Sequence, residues 1–81
     1  MTLSKSKKFL ENELKKIFKK ELGVSVNSKS KIYDYEKWDS LANFNILLSC
    51  ENKFKIKFNS SEFTNLSSFN KIFLSVSKKL K

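Results

Sequence analysis

"WDSLANFNILLSCENKFKIKF", Trp38 to Phe58, is the stretch whose reading decides the fold. After Trp38 come an acid and a serine, then an apolar segment, and the stretch ends in strict alternation. Placed on a helix at about 100° per residue, Ile46, Leu47, Cys50 and Phe54 fall on one side. Leu41, Phe44 and Leu48 fall on a second stripe well away from the first. Ala42, Asn43, Asn45, Ser49, Asn52 and Lys53 take most of the surface positions. One apolar stripe suffices to bury a surface helix. The second stripe either packs under the long loop that precedes the helix or is exposed for a partner, and both can hold for different residues. The pattern predicts a helix from about Ser40 to Asn52. By period alone "KFKIKF", Lys53 to Phe58, would be a strand. No other segment offers it a partner, and a lone strand cannot satisfy its backbone groups. The reading is the end of the helix and an extended loop, with Phe54, Ile56 and Phe58 turned inward.

Outward from this segment the chain is helical. With no Pro and one Gly, helices can run uninterrupted. Leu3, Leu10, Leu14, Ile17 and Phe18 form one stripe of a first helix from about Leu3 to Leu22. Glu11 and Lys15 are an i,i+4 pair in the favourable order, and Gly23 stands where a C-terminal cap belongs. Gly23 to Asp39, beginning "GVSVNSKSKIYDYEKW", reads as a long loop pinned by Val24, Val26, Ile32, Tyr33 and Trp38. A structureless loop of this length in a compact domain is often functional. A short third helix is expected from Ser60 or Ser61 through Glu62, Phe63 and Leu66. A last helix is expected from Ser67 or Ser68, either of which can cap it. It turns Phe69, Ile72, Phe73, Val76 and Leu80 inward, with Lys78, Lys79 and Lys81 near its negative end.

The bulk properties exclude several function classes. A chain of 81 residues is one domain, 1–81, with a thin core. One Cys and no His remove disulfide scaffolds, the usual zinc spacings and His-activated nucleophiles. The first residues lack the apolar run of a signal peptide, and no stretch is long enough to span a bilayer. A soluble cytoplasmic protein, with no membrane partner, is the expectation. The net charge of +9 invites a nucleic-acid reading. All 17 basic residues are lysine, however, so the bidentate contacts of arginine are missing. No specific nucleic acid is expected, and a solvated lysine-rich surface explains the charge. From Tyr33 to Asn52 the balance reverses: Asp34, Glu36, Asp39 and Glu51 face Lys37 alone. Ser40 lies inside this acidic patch. By itself it reads as a helix N-cap worth about 1 kcal/mol.

Asp39-Ser40-Leu41 at the start of the second helix resembles the signature of the acyl carrier and peptidyl carrier proteins. The likeness continues through Glu51, Phe54, Ile56 and Phe58 and into "FTNLSSFNKI", 63–72. It covers Ile32 to Val76, with the first helix matching in pattern only. The resemblance implies an all-α four-helix bundle of the acyl-carrier type, with a long loop between helices 1 and 2 and a short helix 3. It implies a carrier that is not an enzyme, monomeric, with 4'-phosphopantetheine attached covalently to Ser40. Asp39 would interact with the phosphopantetheinyl transferase and its metal, beside Leu41. Leu41, Phe44 and Leu48 would be the apolar docking face, and Asp34, Glu36, Asp39 and Glu51 would steer basic partners. The partners it implies would be that transferase and the enzymes that load and accept an acyl or aminoacyl group. Fatty-acid carriers crowd acids onto the second helix, and this chain does not. Trp38 before Asp-Ser-Leu resembles stand-alone carriers of specialised pathways. Cys50 lies on the core stripe and reads as a small buried hydrophobe. The phenylalanines at 54, 58, 63, 69 and 73 would fill the space between the last three helices, so a short cargo left in solvent is expected. The rival readings are a basic helical nucleic-acid-binding module and a degenerate carrier used only for protein interaction.

Overall fold

The computed structural model describes residues 3–80, with side chains from Lys8 onward. The chain is all-α, with helices α1 (Leu3–Leu22), α2 (Ser40–Phe54), α3 (Ser60–Asn65) and α4 (Phe69–Lys79). α1 packs on α2 and α4, and α2 packs on α4. The expected α1 stripe supplies buried Leu10, Leu14 and Phe18, extended one turn by Leu22, while Ile17 is half-buried. Leu3 lies outside the residues with described side chains. α1 ends at Gly23, whose φ of +75° is the left-handed conformation glycine adopts without penalty. Its N–H donates to the Lys19 carbonyl at 2.8 Å, closing the helix end. The expected Glu11–Lys15 pair forms at 3.2 Å.

α2 runs two residues further than its pattern suggests, to Phe54. Lys55 then takes a left-handed conformation, φ 58°, and its N–H donates to the Glu51 carbonyl. The alternating segment is therefore helix end and loop, as expected. Ile56 and Phe58 are buried and Phe54 is half-buried. α3 begins at Ser60 with Asn59 as its cap. Asn59 Oδ1 accepts from the Glu62 N–H at 2.9 Å, and Glu62 Oε1 accepts from the Asn59 N–H at 2.8 Å, a reciprocal capping box. Ser68 caps α4, its Oγ accepting from the Lys71 N–H at 3.1 Å. α4 buries Phe69, Ile72 and Val76. Leu80 does not continue that stripe: it is the C-cap, beyond the last helical turn, and stands exposed.

The long loop, 23–39, is held at three levels. Val26 and Trp38 are buried, and Ile32 is half-buried. Trp38 meets Phe18 of α1 edge-on at 5.0 Å between ring centroids. A short antiparallel bridge joins Lys31 to Ser68. In it the Ile32 N–H donates to the Ser67 carbonyl, and the Phe69 N–H donates to the Ser30 carbonyl. Val24 and Tyr33 do not pin the loop; both are exposed. Among the described residues no helix is long and apolar enough to cross a membrane.

Asn43 departs from its expected surface position. It is buried, accepting from Trp38 Nε1 at 2.9 Å and donating through Nδ2 to the Leu66 carbonyl at 2.9 Å. One amide thus ties the loop before α2 to the link between α3 and α4. A buried indole N–H needs such a partner, and a buried amide is tolerated because both its ends are satisfied.

Candidate functional site

The site is the start of α2 and the loop that leads into it. Asp39, not Ser40, is the N-cap. Its backbone is extended, and Oδ1 accepts from the Ala42 N–H at 2.9 Å. Ser40 is the first helical residue, so its hydroxyl has no capping duty. It is exposed, and its Oγ lies 2.9 Å from the hydroxyl of Tyr33. The cap reading of Ser40 is therefore corrected: the carboxylate one residue earlier takes the donor, because that position has the extended backbone a cap requires.

Tyr33 is the residue that the sequence pattern did not single out for this place. Its φ is 73°, a region an aromatic residue rarely occupies. Such a conformation costs on the order of 1–3 kcal/mol and persists only where its surroundings impose it. Here the Tyr33 N–H donates to the Trp38 carbonyl at 2.8 Å, closing a tight loop from 33 to 38. No sequence signal marks a tyrosine for a left-handed position.

Leu41, Phe44 and Leu48 are exposed at 68%, 45% and 37%. Each of the three thus keeps a large part of its surface in solvent, Leu41 most of all. The Phe44 ring lies 5.0 Å from that of half-buried Phe63, so α3 borders the exposed stripe. Phe63 in turn meets Phe58 edge-on at 6.0 Å. Across the core, Phe69 and Phe73 stack at 6.5 Å.

The four carboxylates of the expected acidic patch have different surroundings. Asp34 is exposed, but its Oδ2 accepts from the Lys31 N–H at 2.9 Å and its Oδ1 pairs with the Lys31 ammonium at 3.3 Å. The backbone hydrogen bond, helped by the ammonium, holds its carboxyl below the usual aspartate value. Glu36 is exposed on the loop. Asp39 caps α2. Glu51 lies at the far end of that helix, where its Oε2 accepts from the Phe58 N–H at 2.8 Å. Ser40 and Glu51 are thus eleven positions apart on one helix, about 16 Å at 1.5 Å per residue. Glu51 anchors the following loop and does not adjoin the serine.

Cys50 is fully buried, and burial pushes its thiol up to about 12, with the Glu51 charge adding to the effect. It is a core residue with an inert thiol. Among the described residues no cluster of His, Cys, Asp or Glu could hold a metal ion. An open depression of about 420 Å³ lies between α1 and the C-terminal half of α2, bordered by Lys20, Glu21, Ser49 and Asn52. Glu13 within it is engaged by Lys53 at 2.9 Å and Lys16 at 3.2 Å. Ser40 does not border this depression. Comparison with known proteins finds no family model and no curated sequence that matches the chain.

Proposed function

We propose that the chain is a carrier domain of the acyl or peptidyl carrier type, bearing 4'-phosphopantetheine on Ser40. The observation that carries this reading is the state of Ser40. Its hydroxyl is exposed at the first turn of a 15-residue helix, relieved of capping by Asp39 and beside an apolar stripe left in solvent. A serine modified by a separate enzyme needs that combination: a reachable oxygen, a rigid mount and a surface to grip. The residues fit the group. The oxygen carries one side-chain contact, and the helix start favours the negative charge of a phosphodiester.

In the attachment reaction Ser40 Oγ attacks the pantetheine-bearing phosphorus of coenzyme A. The new Oγ–P bond forms as the P–O bond to adenosine 3',5'-bisphosphate breaks. The serine proton passes to a base of the transferase, so the carrier supplies no base and is not an enzyme. When bound, the group supplies a thiol on a long flexible arm that can hold an acyl or aminoacyl thioester. This chain's residues mount the arm and present the surface. Leu41, Phe44 and Leu48 form the docking face, and Asp34, Glu36 and Asp39 steer basic partners to it. The Lys31 ammonium offsets Asp34 locally, which makes Glu36 and Asp39 the stronger contributors.

On this reading the protein works as a cytoplasmic monomer beside a coenzyme A pool. Its partners are a phosphopantetheinyl transferase and the enzymes that load and accept the cargo. The cargo is a short acyl, hydroxyacyl or aminoacyl group, because Phe58 and Phe69 are buried in the space a long chain would need. The pathway is a specialised one rather than general fatty-acid synthesis, given the few acids on α2.

Incubation with coenzyme A and a broad-specificity transferase tests the reading by intact mass. The expected result is a gain of one phosphopantetheine that Ser40→Ala abolishes. Wild type that stays unmodified with several transferases would favour an interaction module without the arm. Equal labelling of Ser40→Ala would move the site elsewhere.

A further inference from the structure

The Tyr33–Ser40 contact joins two residues that burial does not hold together. Tyr33 is 68% exposed, and its left-handed backbone goes with the N–H it gives to the Trp38 carbonyl. That unfavourable conformation brings its hydroxyl to 2.9 Å from Ser40 Oγ. Strain held at an exposed residue, aimed at one nucleophilic oxygen, is a pattern found at functional sites.

Resting on the carrier reading of Ser40, we infer that Tyr33 is the positioning residue for its modification. The phenol holds the serine oxygen on the loop side before transfer and donates to the phosphodiester after it. An exposed serine otherwise samples three staggered rotamers. The hydrogen bond selects one of them and leaves a lone pair of Oγ for the phosphorus. As the Oγ–P bond forms and adenosine 3',5'-bisphosphate leaves, the serine proton goes to the transferase. The tyrosine keeps its own proton throughout. The new phosphodiester oxygens then stand within reach of that O–H. Tyr33 thereby closes the loop side of Ser40. The arm leaves on the other side, toward Phe44, which shares the face of Ser40 one turn along α2.

The test compares wild type, Tyr33→Phe and Tyr33→Gly in transferase kinetics, with the phosphorus NMR spectrum of each loaded protein. Tyr33→Phe keeps the ring and removes only the hydroxyl. The expected result is a kcat for loading lower by roughly three- to tenfold, the worth of one hydrogen bond. KM for coenzyme A and for the carrier should not change. The phosphodiester resonance should shift between loaded wild type and loaded Tyr33→Phe. Tyr33→Gly keeps the N–H given to Trp38 and relieves the backbone. It should melt at or above the wild-type temperature and still load as slowly as Tyr33→Phe. A residue with a merely structural role would not separate stability from loading in this way. Wild-type kcat together with an unmoved phosphorus resonance in Tyr33→Phe would overturn the role of Tyr33 and leave the carrier reading standing. A wild type that accepts no arm would overturn both.

Discussion

α2 carries two apolar faces of similar chemistry and opposite fate. Ile46, Leu47 and Cys50 are wholly buried against α1 and α4, whereas Leu41, Phe44 and Leu48 remain in solvent. Neighbouring leucines, Leu47 and Leu48, fall on either side of this divide. The difference teaches that hydrophobicity is not the determinant of burial here. Geometry is: α1 and α4 pack on the buried side of the helix, while the long loop sets its Trp38 against Phe18 of α1. An apolar surface left open beside an exposed serine is a stability resource not used, and on the carrier proposal it is the docking face.

The largest effect should come from breaking the buried face. Leu47→Ala should cost about 2–5 kcal/mol in chemical denaturation, from lost transfer energy and the cavity left behind. Leu48→Ala should stay within about 0.5 kcal/mol, as at an ordinary surface site. Equal losses would erase the distinction between the faces.

Next in size is the polar tie between loop and bundle. Asn43→Ala leaves the Trp38 indole N–H and the Leu66 carbonyl without their partner. About 2 kcal/mol should be lost, since a buried group left unsatisfied carries its desolvation penalty. The near-ultraviolet signal of Trp38 should change with it.

A smaller effect separates the two residues at the start of α2. Asp39→Ala should cost about 1 kcal/mol through loss of the cap. Ser40→Ala should cost less than about 0.5 kcal/mol, because its hydroxyl makes an exposed contact only. The reverse order in thermal melts would restore Ser40 as the cap and weaken its reading as a displayed residue.

The smallest effect is a pH dependence at α3, the helix with no buried residue. The Asn59 N–H, and then Lys79 and Ser75, hold the Glu62 carboxyl below its ordinary value of 4.5. A depressed carboxyl stabilises the fold above its unfolded value, and that contribution is lost as pH falls through the folded one. Glu62→Gln should therefore flatten the acid limb of the stability profile below about pH 4.5. The change should be modest, because the group is exposed enough for solvent to screen it. An unchanged limb would show that α3 is not held by this charge.

The four helices were legible in the sequence because each rule that reveals them is local. Stripes at helical spacing, one glycine after α1 and a serine before α4 need no knowledge of distant residues. The non-strand nature of "KFKIKF" was legible too, from the lack of any segment to pair with it. The start of α3 was within reach: Asn59 and Glu62 have capping-box spacing, a better signal than the serines that follow. Asp39-Ser40-Leu41 and the two stripes of α2 mark the candidate site by local pattern alone.

Contacts between segments distant in sequence were decided only by the tertiary structure. Asn43 is polar on any helical wheel, and its burial depends on Trp38 and the Leu66 carbonyl meeting it. Leu80 continues its stripe by spacing, yet α4 ends before it. Glu51 counts as an acid near Ser40 in composition, but the loop at Phe58 claims its carboxylate. Tyr33 meets Ser40 from a left-handed backbone position whose N–H is held by the Trp38 carbonyl. Periodicity states which face of an element is apolar. Which face is covered, and which hydroxyl meets which, is fixed when the loop closes and the helices dock.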